Sequence, residues 1–234
     1  MSMKPTNEPE SPGFIRRWLA TLPDVQLADI APDPERTAVC STDMINAFLR
    51  EGALSSPRVN QLTGPVVDLI QRAWDYGVRY FAFTQDTHTE DNPEFQAYPP
   101  HAIASTSESD MITELARLPF ADAFAVFEKN SLNPSIGTGF DAWWDKHRDL
   151  TTVIVTGNCT DLCVYQLAMH LRMRANALGI QGFSVIVPAN AVQTFDIPET
   201  DDAPPGTAHP GDFFDDVFLY HMASNGIRVV RSIS

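Results

Sequence analysis

Short β-branched apolar runs alternate with helix-patterned segments along most of this chain, and that alternation constrains the fold more than any other feature. Thr37 to Thr42, Val78 to Thr84, Ala123 to Phe127, Thr152 to Thr156, Phe183 to Val187 and Ile227 to Val230 read as strands. Val59 to Tyr76, Phe140 to Lys146, Asp161 to Leu178 and Phe213 to Ser224 carry helical spacing between them. On the first of these helices Val59, Leu62, Val66, Leu69, Ile70 and Ala73 share one face, and Gly77 is placed as its C-cap. Strands linked through helices pair in parallel and need cover on both faces. The expected fold is therefore a three-layer α/β/α sandwich with a mostly parallel six-stranded sheet. Residues 36–234 should form this single domain. Residues 1–35, with Pro5, Pro9, Pro12, Pro23, Pro32 and Pro34, read as an N-terminal arm holding a short helix around Phe14 to Leu22.

In such sheets ligands collect at the carboxyl ends of the strands. Asp43, Asp86 and Lys129 each follow a strand candidate, and Cys163 follows a strand and a turn that begins at Gly157. A cysteine in a first helical turn meets unpaired N–H groups and the positive end of the dipole, which favour a thiolate and can hold an oxyanion. Asp43 could accept the thiol proton, and Lys129 could stabilise the thiolate. Each residue alone has a plainer reading: Cys163 as core packing, Asp43 as a turn cap, Lys129 as a surface charge. Cys159 and Cys163 could instead form a redox pair or a metal site, although no second pair stands elsewhere.

The loop from Thr87 to about Asp110 holds a second cluster. Asp86 and His88 stand two residues apart at a strand end, and His101 follows the Pro99-Pro100 pair. One carboxylate and two imidazoles can bind one divalent ion and leave positions open for water and substrate. Loop histidines are also common on surfaces, so spacing alone leaves both readings standing.

Composition narrows the partners. Sixteen basic against thirty acidic residues give a formal net charge of −14, which argues against nucleic acid and anionic membrane. No apolar run reaches the length of a membrane span, and the first twelve residues lack a signal-peptide core. Three cysteines, Cys40, Cys159 and Cys163, do not suggest a disulfide framework and fit a reducing, cytoplasmic setting. Asp196, Glu199, Asp201, Asp202, Asp212, Asp215 and Asp216 read as one solvated acidic loop. Assembly into a homo-oligomer is left open.

Asp43-Met44-Ile45-Asn46-Ala47-Phe48, Asp86-Thr87-His88, Tyr98-Pro99-Pro100-His101, Lys129 and Gly157-Asn158-Cys159-Thr160-Asp161-Leu162-Cys163-Val164 stand together in an order and spacing that resembles the nicotinamidases of the isochorismatase-like cysteine hydrolase family. The resemblance spans roughly residues 37 to 231. The Pro-Pro-His cluster is similar to nicotinamidases rather than to isochorismatases, and Thr194-Phe195-Asp196-Ile197-Pro198 with Ala208-His209-Pro210 resembles longer, plant-like members. The resemblance implies hydrolysis of nicotinamide, or of another small carboxamide, through a thioester. It implies Cys163 as nucleophile, Asp43 as proton carrier and Lys129 as the third catalytic member. Asp86, His88 and His101 would hold one divalent metal, Zn²⁺ or alternatively Fe or Mn, with Glu94 as an additional acidic residue. That metal would orient the substrate ring through its nitrogen. Phe48 and Tyr98 would sandwich the ring. A cis peptide would fall at Asn158–Cys159 and aim the amides of Cys159 and Cys163 at the oxyanion. Most relatives carry an apolar residue and alanine where Asn158 and Cys159 stand. A non-catalytic binding module of the same fold is the reading to exclude.

Overall fold

The computed structural model describes residues 10–200 and 206–234. Eight strands occur among them: β1 (Asp24–Val25), β2 (Thr37–Thr42), β3 (Tyr80–Asp86), β4 (Phe124–Lys129), β5 (Thr152–Gly157), β6 (Ser184–Pro188), β7 (Arg228–Val230) and β8 (Ser232–Ile233). Five longer helices join them: α1 (Gly13–Leu19), α2 (Thr63–Tyr76), α3 (Phe140–Lys146), α4 (Cys163–Ala177) and α5 (Gly211–Ser224). Six strands form one sheet in the order β4-β3-β2-β5-β6-β7, and every pairing in it is parallel.

The sheet buries both faces because successive side chains alternate across it. Val39, Phe81, Phe83, Ile154 and Ile186 point into a core shared with Val66, Leu69, Ile70 and Ala73 of α2. Ala38, Cys40, Ala82, Val153, Val155, Val185 and Val187 point into the opposite core, against α3, α4 and α5. The thiol of Cys40 belongs to that second core, and burial pushes its pKa far up, so it serves as a small apolar side chain.

Strand order reverses beside β2. From β2 the chain runs outward through β3 and β4, then returns to the other side of β2 and runs outward through β5, β6 and β7. The loops after β2 and β5 therefore diverge and leave a crevice at their carboxyl ends. Gly157 ends β5 there with a φ of 111°, and a Cβ on it would lie 2.0 Å from the Thr42 carbonyl oxygen. Because backbone on both sides causes the clash, Gly157→Ala is expected to cost at least about 3 kcal/mol in urea unfolding. A loss below about 1 kcal/mol would show that the turn can shift.

Several expectations are corrected. The helix placed from Val59 to Tyr76 is two pieces, Pro57–Asn60 and Thr63–Tyr76, although Val59 and Leu62 are still buried on the same core. The strand expected from Val78, β3, starts at Tyr80, and the helix expected from Asp161, α4, starts at Cys163, leaving Asp161 in the turn. From residue 10 on, the expected arm is part of the folded body. Phe14 and Trp18 pack edge-on against Tyr220 of α5, and β1 pairs in parallel with β8. Pro5 and Pro9 lie outside the described residues.

The acidic segment is also more than a solvated loop. Arg58 pairs with Asp212 and Asp215 at 2.6 and 2.7 Å and donates to the Thr194 carbonyl. Burial pushes Asp215 up to about 6 even with Arg58 beside it. Asp216 accepts from Ser11, and Asp196 from the Gly211 N–H. Asp201 and Asp202 lie outside the described residues. No helix among the described residues is long and apolar enough to cross a membrane.

Candidate active site

Four loops meet in the crevice. Asp43 follows β2 with a φ of 56°, a left-handed conformation that aspartate tolerates better than most side chains. Its N–H donates to the Thr84 carbonyl of the neighbouring strand, so the pairing of β2 with β3 continues into the turn. Its carboxylate is fully buried and accepts from the Asp86 N–H at 2.8 Å and from the Thr42 hydroxyl at 2.9 Å. Asp86 is the last residue of β3, and Lys129, the last of β4, is its register partner.

Lys129 is 1 % exposed. Its ammonium lies 3.0 Å from Asp43 Oδ2, 3.4 Å from Cys163 Sγ, and in direct contact with Asp86 Oδ1. Burial alone would lower the lysine's pKa, but the two carboxylates outweigh it and hold the ammonium well above its ordinary value. Burial likewise opposes ionisation of Asp86, yet Lys129 and the two imidazoles keep that carboxyl well below the usual range. Asp43 is shifted upward by burial and by Asp86, which prepares it to carry a proton. One lysine thus neutralises part of a buried acidic pair and touches the sulfur.

Cys163 opens α4, and its sulfur lies within 4.8 Å of a carboxylate oxygen of Asp43. Burial and the Asp43 charge raise its pKa well above that of a free thiol, while Lys129 works in the opposite direction. The resting sulfur is a protonated thiol with a carboxylate base beside it. The Asn158–Cys159 peptide is cis. Asn158 is buried and binds back to β2: its amide side chain donates to the Asp43 carbonyl at 2.6 Å, and its N–H to the Thr42 carbonyl at 3.1 Å. Among the described residues, no protein acceptor receives the Cys159 or Cys163 N–H. Both amides are therefore available to an incoming oxygen.

Cys159 also lines the cleft, but its surroundings differ from those of Cys163. Burial and Asp161 push its thiol far up, and Thr194 and Phe195 are the groups that work against them. With neither Lys129 nor a base against it, this sulfur stays protonated. The redox or metal reading of the two cysteines gains nothing from the geometry. The metal-competent groups among the described residues are Asp86 with His88 and His101, and Asp43 with Asp86 and Cys163, so neither includes Cys159.

The ligand atoms of Asp86, His88 and His101 all lie within 4.8 Å of one another, and all three side chains are buried. His101 Nδ1 lies 2.9 Å from the Pro99 carbonyl, an acceptor, which places the proton on Nδ1 and frees Nε2. His88 Nδ1 lies 3.2 Å from Asn130 Oδ1 and beside Asn92, while its Nε2 is buried without a hydrogen-bond partner. That orphaned nitrogen faces Asp86 Oδ1 at 3.5 Å and Glu94 Oε1, itself unpartnered, at 3.9 Å. A buried imidazole nitrogen and a carboxylate oxygen without partners, beside a carboxylate and a second imidazole, fit a divalent cation. Glu94 stands outside the tight group of three.

The cleft over these residues is lined by Asp43, Asp86, Cys163, His101, Phe48 and Tyr98, with Leu54, Leu132, Leu162 and Phe195 completing its apolar wall. All the expected site residues meet here or directly behind it. Phe48 and Tyr98 each meet the His101 ring edge-on, at 5.5 and 6.4 Å between centroids. The sequence reading missed Leu54, Leu132, Asn92 and Asn130, and gave Leu162 no role although it stands in the motif before Cys163. Of the four missed, Asn130 had a signal, since it directly follows Lys129 at a strand end.

Comparison with known proteins is consistent with this geometry. Nicotinamidase 1 of Arabidopsis thaliana is 29% identical over 207 residues, covering 82% of this chain and 84% of that protein. The solved nicotinamidase of Bacillus subtilis superposes with a TM-score of 0.66 at 25% identity, over 83% of this chain and 99% of that one. The N-carbamoylsarcosine amidase of Thermoplasma acidophilum shares the fold, with a TM-score of 0.62 at 23% identity, over 84% of this chain and 96% of that one. The Isochorismatase domain model matches residues 37–204, and the chain is a member of the isochorismatase-domain family of hydrolases.

Proposed function

We propose that this protein is a metal-assisted cysteine amidohydrolase that converts nicotinamide to nicotinate and ammonia. The observation that carries the reading is the contact of one buried ammonium, Lys129, with both Asp43 and Cys163. It sets a base and a counter-charge beside a thiol in the cleft that His101 borders. The similarity to the Arabidopsis nicotinamidase supports the choice of substrate.

Asp43 takes the proton of Cys163, and the sulfur attacks the amide carbon. The carbonyl oxygen gains charge and is held by the Cys159 and Cys163 amides, donors worth roughly 3 kcal/mol each in other enzymes. The C–N bond breaks as Asp43 returns the proton to the leaving nitrogen, giving ammonia and a thioester on Cys163. Water then gives Asp43 a proton and attacks the thioester, the C–S bond breaks, and the thiol is regenerated. Lys129 keeps the acidic cluster near neutrality throughout. Asp86, His88 and His101 would hold a divalent ion, most simply Zn²⁺ for one carboxylate and two imidazoles. Bound there, it would supply a Lewis-acid anchor for the ring nitrogen and so help to orient the substrate. Phe48 and Tyr98 flank the ring.

His101→Ala is expected to lower bound metal several-fold by elemental analysis, because it removes one of three ligands. Unchanged occupancy would disprove the assignment. The substrate is tested by ammonia release from a panel of small amides, with and without chelator. Nicotinamide should be the preferred amide, and chelation should raise KM more than it lowers kcat. Preference for a carbamoyl amide such as N-carbamoylsarcosine, whose amidase shares this fold, would replace nicotinamide with that class. Absence of any turnover would favour a binding module.

A further inference from the structure

Phe195 forms one wall of the cleft, carried by the segment Thr194 to Ile197, which has no part in the chemistry above. Thr194 is tied to Arg58 and Asp215, and Ile197 exchanges both backbone bonds with His209. Gly211 closes the other end: a Cβ there would lie 2.8 Å from the Phe195 carbonyl oxygen. His209 links this wall to the nucleophile turn. Its ring lies flat between Phe195 and Phe214, with centroids 4.0 and 4.3 Å away and interplanar angles of 23° and 16°. Its Nδ1 lies 3.0 Å from the Phe195 carbonyl, and its Nε2 lies 2.8 Å from Asp161 Oδ2.

Both partners of that ring are acceptors, a carbonyl and a carboxylate. Both nitrogens must therefore donate, and the ring is an imidazolium. Two aromatic faces suit that cation. Asp161 in turn needs it, since the carboxylate is buried in the turn before Cys163 and its other oxygen has no partner. Asp161 is the charged group that faces the ring. On the neighbouring elements Asp212 and Asp215 are committed to Arg58, and Asp196 to the Gly211 N–H. Burial would lower the His209 pKa, but Asp161 outweighs it and raises it.

We infer that His209 is a positioning residue: its charged ring latches the Phe195 wall onto the nucleophile turn, and the latch sets how tightly the site holds a flat amide substrate. The inference rests on the hydrolase reading above and deepens it.

His209→Phe tests it, because it keeps a flat ring in the stack and removes both donors. KM for nicotinamide should rise about tenfold, as expected for losing a charged hydrogen bond, with a smaller change in kcat. Hydrogen exchange at Phe195 to Ile197 should speed up. A folded pKa raised above the ordinary value means that the latch is complete at low pH and is lost as pH rises through that pKa. The wild-type KM should therefore climb with pH, and the variant should stay high throughout. If His209→Phe fails to fold, His209→Gln, which can keep one donor, should fall between the two. KM and exchange both unchanged in a folded variant would overturn the latch. Wild-type protein that does not cleave nicotinamide would overturn the substrate reading alone, because exchange at Phe195 to Ile197 still judges the latch.

Discussion

Cys163→Ala is expected to reduce ammonia release from nicotinamide by at least about ten-thousand-fold while leaving the fold intact. The size of the effect follows from the site. Cys163 receives Lys129 at 3.4 Å and has the Asp43 carboxylate within 4.8 Å, a base and a cation beside one sulfur. Cys159 is the obvious substitute, but burial and Asp161 keep its thiol protonated. Stability should change little, since the substitution removes a single sulfur from the cleft lining and leaves no charge without a partner. Turnover that survives in Cys163→Ala would mean that the metal cluster activates water directly. Iodoacetamide labelling adds a check, because wild-type protein should lose activity in step with alkylation of the Cys163 peptide.

Lys129→Met should damage both activity and stability. The substitution keeps an unbranched stem but removes the charge that faces Asp43 and Asp86, both buried. Breaking a buried ion pair from one side typically costs 3–5 kcal/mol, because the remaining charge stays in place without a partner. Two carboxylates are left here, so urea unfolding of the metal-free protein should show a loss of at least about 3 kcal/mol. Activity should fall at least about a hundredfold, as the developing thiolate loses its counter-charge. A variant as stable as the wild type would mean that the cluster is balanced by other groups.

The sequence carried the sheet and the chemistry to different depths. β5 and its turn were legible because β-branched packing and a glycine stop leave a local signature, and Gly157 is where a side chain would strike Thr42. The ends of α3 were legible because Gly139 precedes it and an apolar face sets its period. The break between Asn60 and Thr63 was hidden, because Val59 and Leu62 keep the same apolar register across it. β1 and β8 are two residues each, too short for any periodicity, and they exist only because the segment before β2 meets the segment after β7. In the site, residue types at strand ends pointed to Asp43, Asp86, Lys129 and Cys163. The sequence could not show that Lys129 is buried between two carboxylates, or that Asn92 and Asn130 orient His88, because those are contacts between distant loops. The Phe195–His209–Asp161 arrangement was hidden for the same reason. Its members come from three segments that the sequence marks as motifs, but nothing in those motifs shows that they touch.

The most direct test of the mechanism is rapid acid quenching of metal-loaded enzyme mixed with nicotinamide, followed by peptide mapping by mass spectrometry. The account predicts a nicotinoyl group on the Cys163 peptide during turnover, and none in Cys163→Ala. A nicotinoyl group on Cys159 or any other residue, or undiminished turnover in Cys163→Ala, would contradict it.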